Sequence, residues 1–328
     1  MNADAVLQAR ELVRHIPVTR GVLFKRTIGT IKVVDGVDLE VCRGETLGLV
    51  GESGCGKSTL ANLLVALDKP TAGRITLLGE RLDTKRGRRL AAARKHIQLV
   101  FQDPFSSLDP RMRVGEIIRE PLVVHPELVP KADRPARVRE LMRLVGLNPE
   151  HADRRPHQFS GGQRQRIGIA RALAVQPDVL VCDESVSALD VSVQGQILNL
   201  LEDLQERLGI ACVFISHDLA VVEHIADRIA VMYLGKIIEH GTAQEVYDHP
   251  RHPYTQALLS AGPGATAPGT APRDRIKLTG EVPSPLDPPS GCTFRTRCWK
   301  AAEICARETP PLRAPDGPAG HEVACHFA

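Results

Sequence analysis

The sequence predicts an α/β fold built on a largely parallel sheet, and three observations lead to that class. Short apolar runs alternate with segments of helical periodicity along the chain. Residues 179–182 and 211–215 are continuously apolar, as is typical of parallel strands that are buried on both faces. Residues 47–50 form a third apolar run, and a glycine-rich turn connects it to leucines 60, 63, 64 and 67 at helical spacing. Repeated strand–helix units are therefore expected.

Length and composition set the class of molecule. The 328 residues allow two domains, one of them large enough to bury a substantial core. Apolar residues make up 43% and charged residues 25%, which is ordinary for a globular protein. A net charge of +3 provides no concentrated basic field, so no nucleic-acid partner is expected. The basic stretch at residues 85–95 is interpreted as a solvated helix face.

The chain has no candidate membrane segment. No apolar run approaches the roughly 20 residues that a membrane helix requires. Residues 1–14 carry four charged side chains and no long apolar segment, so they do not resemble a secretory signal. The protein is expected in the cytosol, with any membrane contact made through a partner.

Residues 103–158 are expected to be mostly helical and to form an inserted subdomain. Residues 228–234 and 236–239 flank Gly235 and predict a hairpin. Residues 262–272 have the composition of a linker or surface loop. The tail from about residue 276 is rich in proline and cysteine, and it must bind a metal or dock on the main body because it is too short for a large core.

Residues 51–58 match the phosphate-binding pattern G-x-x-x-x-G-K-[ST], and they lie between a predicted strand and a predicted helix. Their glycines allow backbone N–H groups to surround phosphates, and the helix N-terminus adds partial positive charge. Lys57 is expected to reach the β- and γ-phosphates, and the Ser58 hydroxyl to bind Mg²⁺. The phosphate-binding residues expected here are Gly51, Ser53, Gly54, Cys55, Gly56, Lys57, Ser58 and Thr59.

A second motif follows the apolar run at residues 179–182. The run ends in Asp183 and Glu184, and ligands bind at the carboxyl ends of strands in open α/β sheets. Asp183 is expected to hold Mg²⁺, and Glu184 to polarise the attacking water as general base.

Between these motifs, residues 160–166 read Ser-Gly-Gly-Gln-Arg-Gln-Arg. This resembles the signature sequence of ATP-binding cassette (ABC) ATPases. The resemblance implies a P-loop NTPase with a RecA-like core, an antiparallel β subdomain and a helical subdomain at about residues 103–170. It also implies that Ser160, Gly161, Gly162 and Gln163 contact the ATP held by a partner cassette in a head-to-tail pair.

Other positions are similar to further motifs of that family. Gln102 resembles the glutamine that contacts Mg²⁺ and the attacking water in that family. His217 resembles the histidine that contacts the γ-phosphate. Ser187 and Asp190 resemble the loop that couples the two sites. Ile16 aligns with the residue that covers adenine, which is usually aromatic in the family.

The resemblance narrows to the ATPase subunits of oligopeptide and dipeptide importers, and residues 34–37 look closer to the second of their two ATPase types. It rests on residues 51–59, 163–171, 186–191, 252–260 and 280–285, and covers nearly the whole chain. It implies a nucleotide-binding domain at 1–260 and an importer-type extension at 261–328. The implied partners are a second ATPase subunit, two permeases and an extracytoplasmic binding protein, at the cytoplasmic face of the inner membrane. Nickel or glutathione import, or a soluble role in translation or repair, are the alternatives.

The cysteines fall into two groups. Cys42, Cys55, Cys182 and Cys212 are scattered and are interpreted as inert thiols. Cys292, Cys298, Cys305 and Cys325 lie close together in the tail, without the paired C-x-x-C of zinc ribbons. From the residues alone an iron–sulfur cluster, zinc, and free or oxidised thiols all remain open. The importer resemblance implies a [4Fe–4S] cluster.

Overall fold

A computed structural model describes residues 4–20, 26–103, 107–186, 189–261, 275–314 and 320–328. Its strands are β1 (Ala5–Arg20), β2 (Arg26–Cys42), β3 (Thr46–Val50), β4 (Ala72–Leu77), β5 (Glu80–Arg81), β6 (Ile97–Val100), β7 (Val179–Asp183), β8 (Ala211–Ser216), β9 (Arg228–Tyr233), β10 (Lys236–Thr242) and β11 (Glu322–Val323). Its α-helices are α1 (Lys57–Leu64), α2 (Gly87–Arg94), α3 (Val114–Val124), α4 (Arg134–Leu144), α5 (Gly161–Leu173), α6 (Val191–Leu208), α7 (Leu219–Ile225), α8 (Ala243–Asp248), α9 (Pro253–Ala261) and α10 (Glu303–Arg307).

The chain forms two compact units. The first unit contains residues 1–6, 41–45 and 84–213, and the second contains residues 7–40, 46–83 and 214–328. The phosphate-binding loop and the cysteine-rich tail belong to the second unit, whereas the Asp183–Glu184 motif and the signature belong to the first. The predicted division of the chain near residue 260 stays a prediction.

In the first unit, β6 and β7 pair in parallel, with Ile97 opposite Val179 and Val100 opposite Cys182. The start of β8 continues this sheet beside β7, where the Ala211 amide donates to the Asp178 carbonyl at 3.0 Å. Residues 179–182 are buried along their whole length, as the apolar run predicts for a strand covered on both faces.

The helices α3, α4 and α5 pack on one another within the first unit. Each contributes an apolar face, and Ile117, Leu141 and Ile167 are almost completely buried there. The prediction of a mostly helical segment after residue 103 is confirmed over the described residues. The basic segment forms α2, which has no buried residue, so its interpretation as a solvated helix is also confirmed.

In the second unit, β3 pairs in parallel with β9 and is buried at all five positions. The predicted hairpin is present: β9 and β10 pair antiparallel with Tyr233 opposite Lys236. Leu234 and Gly235 form its turn with φ of 43° and 81°, the pair of positive values that tight hairpins require. The unit also contains a sheet in the order β2-β1-β4-β5.

The helix after the glycine-rich turn is shorter than its leucine pattern suggests. Leu60, Leu63 and Leu64 are buried in α1, but the helix ends at Leu64 and Leu67 is 53% exposed. Ala66 adopts a left-handed φ of 55°, which terminates the helix before Leu67.

The described part of the tail, residues 275–314 and 320–328, docks on the second unit. Its strand β11 pairs antiparallel with β10, with Val323 opposite Glu239. The Ala324 amide donates to the Ile238 carbonyl at 2.8 Å. Of the two possibilities left for the tail, metal binding or docking, docking is therefore observed. None of the helices in the described ranges is both long and apolar enough to cross a bilayer.

Candidate active site

The phosphate-binding loop connects the end of β3 to the start of α1 and depends on its glycines. Gly51 and Gly56 have φ of 158° and 112°. A Cβ at Gly51 would lie 2.2 Å from the Met232 carbonyl oxygen, and one at Gly56 would lie 2.2 Å from that of Val33. Only glycine lets the backbone pass this close to its neighbours. The loop therefore holds its amides where the α1 N-terminus also points, which favours an anion.

The Lys57 side chain is hydrogen-bonded to the backbone of the phosphate-binding loop. Its side chain is nearly buried, and Nζ donates to the Gly51 carbonyl at 2.7 Å and to the Glu52 carbonyl at 3.1 Å. A buried ammonium needs such acceptors to compensate for its lost hydration. Phosphate oxygens at this position would be charged and therefore stronger acceptors. The lysine is placed to exchange its hydrogen bonds to backbone carbonyls for hydrogen bonds to phosphate.

The remaining loop residues divide by exposure. Ser53, Gly54 and Ser58 are exposed, and Thr59 is half-buried. Cys55 is buried, and burial raises the pKa of its thiol, which keeps it protonated at neutral pH. The polar groups that would meet a nucleotide are thus on the open side of the loop.

Glu52 anchors the loop, and its role was not predicted. Its amide donates to the Tyr254 hydroxyl at 2.7 Å. Its carboxylate accepts two hydrogen bonds from Arg297, at 2.7 and 3.0 Å. This carboxylate raises the pKa of Arg297 further above its ordinary value. Tyr254 entered the sequence argument only through the importer resemblance, and Arg297 lies 245 positions away from Glu52.

An aromatic cluster supports these anchors. The ring of Phe294 lies 5.3 Å from that of Tyr233 and 5.4 Å from that of Tyr254, measured between centroids. All three side chains are at most 1% exposed. Edge-on aromatic contacts at this distance add to the stabilisation from burial. The tail segment around Phe294 is therefore packed into the core beneath the phosphate-binding loop.

His252 lies beside this cluster and should make stability depend on pH. Its Nδ1 accepts a hydrogen bond from the Tyr254 amide at 3.0 Å, which protonation of that nitrogen would break. Burial lowers the pKa of His252 to about 4, although the nearby Glu239 carboxylate opposes the shift. In the unfolded chain the pKa returns to about 6.5. Between about pH 6.5 and 4 the unfolded state therefore binds more protons, so stability falls as the pH is lowered through this window.

We expect His252 to account for a loss of about 2 kcal/mol in the free energy of unfolding between pH 7 and pH 5. Urea unfolding at several pH values measures it. His252→Asn keeps an acceptor but does not titrate, so its curve should be flatter than that of the wild type. Parallel curves for the two proteins would contradict the assignment.

In the first unit, β7 delivers Asp183 and Glu184 at its carboxyl end. Both are half-buried, and Gln102 Nε2 donates to Glu184 Oε2 at 2.6 Å. Glu184 has a φ of 43°, which is unusual for a residue other than glycine. Such strain concentrates at functional positions. The structure therefore brings together two of the three predicted catalytic residues, while His217 belongs to the second unit.

The signature forms the N-terminus of α5. Ser160 is the N-cap and forms a capping box with Gln163: the Gln163 amide donates to Ser160 Oγ at 3.3 Å, and the Ser160 amide to Gln163 Oε1 at 3.0 Å. A Cβ at Gly162 would lie 2.3 Å from Val193 Cγ1, so the segment packs tightly on α6. Ser160 and Gln163 are exposed, and Gly161 is half-buried. A 13-residue helix thus presents its positive end at the surface.

The remaining predicted residues occupy separate positions. Asp190 caps α6, accepting from the Val193 amide at 3.0 Å and the Ser192 hydroxyl at 2.9 Å, and these bonds lower its pKa. Ser187 lies outside the described residues. His217 is exposed directly after β8. Ile16 is 39% exposed on β1.

The four tail cysteines lie within electrostatic range of one another. Burial, together with the neighbouring thiols of Cys305, Cys298 and Cys325, raises the pKa of Cys292 to about 11, although a backbone hydrogen bond from Phe294 opposes the shift. The Cys292 amide also donates to the Cys305 carbonyl at 2.8 Å. Among the described residues no group of three or more His, Cys, Asp and Glu side chains is arranged to hold a single metal ion.

Three features together define an ABC-type ATPase. They are a glycine-dependent phosphate-binding loop, a strand that ends in Asp-Glu with a glutamine hydrogen-bonded to the glutamate, and a capped signature helix. The family model described as ABC transporter matches residues 34–187. The model described as oligopeptide/dipeptide transporter, C-terminal region, matches residues 238–305. The chain belongs to the ATP-binding subunits of ABC transporters, in the group that includes the oligopeptide and dipeptide transport proteins.

Relatives match over nearly the full length. The oligopeptide transport ATP-binding protein AppF of Bacillus subtilis is 49% identical, covering 99% of this chain and 98% of that protein. The dipeptide transport ATP-binding protein DppF of Escherichia coli is 50% identical, covering 98% and 93%. The dimeric, ADP- and phosphate-bound cassette MJ0796 superposes with a TM-score of 0.63 at 28% identity, covering 72% of this chain and 98% of that one. The predicted fold class and ATPase activity are confirmed.

Proposed function

We propose that this subunit hydrolyses ATP to power the uptake of dipeptides or oligopeptides through an ABC importer. The observation that carries the proposal is the near-complete match to ATP-binding proteins named for peptide transport, including the peptide-transporter region at residues 238–305. The hydrogen bond between Gln102 and Glu184 supports hydrolysis as well as binding, because it orients the carboxylate that would activate water.

The second unit has the groups for binding the nucleotide. The loop amides and Lys57 would hold the β- and γ-phosphates, and the Ser58 hydroxyl would bind Mg²⁺, which neutralises charge on the phosphates. His217 would contact the γ-phosphate. Ile16, exposed on β1, would cover the adenine with aliphatic surface.

The first unit has the groups for hydrolysis and for the partner. Glu184 would take a proton from the attacking water, and Gln102 would orient the carboxylate and the water. Asp183 and Gln102 would bind Mg²⁺. The signature from Ser160 to Gln163 would bind the γ-phosphate held by a second cassette, and the loop containing Ser187 and Asp190 would couple the two sites.

The partners follow from this assignment. We propose a second ATPase subunit, two membrane permeases and an extracytoplasmic binding protein, with this chain at the cytoplasmic face of the inner membrane. We also propose residues 1–260 as the nucleotide-binding domain, with a helical subdomain at about 103–170, and residues 261–328 as the importer-type extension.

Peptide uptake in cells lacking this subunit tests the cargo. Labelled dipeptides and oligopeptides should enter only when the wild-type chain is restored, and nickel and glutathione uptake should be unaffected. An affinity pull-down from detergent-solubilised native membranes should recover two permeases and a second ATPase. Recovery with ribosomes or repair factors, and unchanged peptide uptake, would instead indicate a soluble ABC ATPase.

We further propose that Cys292, Cys298, Cys305 and Cys325 hold a [4Fe–4S] cluster. A single zinc ion requires four ligands at about 2.3 Å from one centre, and the described thiols are not arranged for that. A cluster is larger and accepts more widely spaced thiolates at varied sequence spacings. The electrostatic interaction of Cys292 with the thiols of Cys298, Cys305 and Cys325 supports a shared site.

Protein purified under anaerobic conditions should contain about four iron and four sulfide per chain. Cys298→Ser should lower the iron content and the absorbance of the cluster, because it removes one thiolate. Cys42→Ser, in the first unit, is the matched control and should change neither. A folded tail that contains no iron would refute this cofactor, and so would a tail that contains zinc instead of iron.

A further inference from the structure

Glu52 is the point where the phosphate-binding loop is attached to the rest of the second unit. Its amide is bound to the Tyr254 hydroxyl and its carbonyl accepts from Lys57 Nζ. Its carboxylate is bound by Arg297. Every polar group of this residue is therefore engaged, and one of its bonds leads directly to the lysine that would bind the phosphates.

Arg297 reaches this carboxylate from the extension. Its side chain is 8% exposed and that of Glu52 is 27% exposed, so the pair is largely removed from water. The two parallel hydrogen bonds of a guanidinium fix both the distance and the orientation of the carboxylate. Removing one partner of such a pair leaves the other charge without compensation. The contact therefore fixes where the Glu52 carboxylate lies relative to the extension.

A second route joins the same two segments. Phe294 lies three residues before Arg297, and the Arg297 amide donates to its carbonyl at 3.0 Å, which closes a turn. The Phe294 ring packs on Tyr254, whose hydroxyl accepts from the Glu52 amide. Phe294 and Arg297 both lie between Cys292 and Cys298 in sequence. The stretch of the extension that carries two of the clustered cysteines therefore supports Glu52 from two directions.

We propose that Arg297 is a positioning residue for ATP: it holds Glu52, and through Glu52 the phosphate-binding loop and Lys57, so that ATP affinity depends on the folded extension. This inference rests on the proposed function, because it assigns the regulation of the same nucleotide site. Disruption of the segment from Cys292 to Cys298 should loosen the loop and weaken nucleotide binding without altering any group that touches ATP.

The test measures the dissociation constant of a fluorescent ATP analogue with Mg²⁺ for the full-length chain. Arg297→Gln and Glu52→Gln should each weaken binding about tenfold. The double variant should bind about as weakly as either single variant, since both remove the same contact. Arg297→Lys, which keeps the charge but not the two-bonded geometry, should bind with intermediate affinity.

Arg295→Gln is the matched control. Arg295 lies in the same turn but donates to the Ser290 carbonyl within the extension at 2.9 Å, so its loss should leave nucleotide affinity unchanged. Glu52→Gln leaves the extension intact, which separates positioning of the loop from unfolding of the tail.

Wild-type affinity in Arg297→Gln, or additive losses in the double variant, would overturn the inference. Failure of the wild-type chain itself to bind the analogue would instead overturn the proposed function on which the inference rests.

Discussion

Glu184→Gln should bind ATP with nearly wild-type affinity and hydrolyse it roughly 100- to 10,000-fold more slowly, the range that general-base catalysis contributes. Glutamine keeps the shape of the side chain and an oxygen that can accept the hydrogen bond now made by Gln102 at 2.6 Å. It cannot take a proton from water. The substitution should therefore remove the chemical step, while the phosphate-binding loop and Lys57 in the second unit are unchanged.

Single-turnover phosphate release measures the chemical step, and titration with a fluorescent ATP analogue measures binding. Glu206→Gln, an exposed carboxylate on α6 in the same unit, should have wild-type values in both assays. Unchanged turnover in Glu184→Gln would remove this residue from the role of general base.

Lys57→Met should abolish measurable hydrolysis and weaken ATP binding by about two orders of magnitude, since a charge on transferring phosphates contributes several kcal/mol. Methionine fills a similar apolar volume, which matters because the lysine is only 4% exposed. The variant also removes the hydrogen bonds to the Gly51 and Glu52 carbonyls. Because methionine leaves no large cavity, loss of binding would report the missing ammonium group and its hydrogen bonds.

Lys69→Met, at an exposed position soon after α1, is the control for nonspecific loss of charge and should bind and hydrolyse ATP normally. Thermal unfolding should show that both variants are folded. Near-normal affinity in Lys57→Met would mean that the backbone amides of the loop carry phosphate binding without the lysine.

The sequence was sufficient for the elements whose signals are local. The strand β3, the turn and helix after it, the buried strand β7 and the hairpin at Gly235 each follow from residues within about ten positions of one another. The capping box of the signature helix was not predicted, although a serine three residues before a glutamine is its pattern. The end of α1 was misjudged, because the left-handed conformation of Ala66 leaves no mark in a pattern of leucines.

Contacts between distant segments could not be predicted in this way. A single sequence contains no signal that pairs Glu52 with Arg297, and the same holds for the Phe294 ring against Tyr233 and Tyr254. The left-handed backbone of Glu184 was equally hidden, since its apolar run predicts only an ordinary strand end. These features arise from tertiary packing, which overrides local preference where the site is built.

The 245 positions between Glu52 and Arg297 also have a consequence for the making of the protein. A ribosome synthesises the phosphate-binding loop 245 residues before the arginine that anchors it, at about 5 to 20 residues per second. The anchor is therefore missing for about ten seconds or more of each round of synthesis. A chain truncated before the extension would contain the ATPase sequence motifs but would lack Arg297, and its phosphate-binding loop would therefore be without this ion pair.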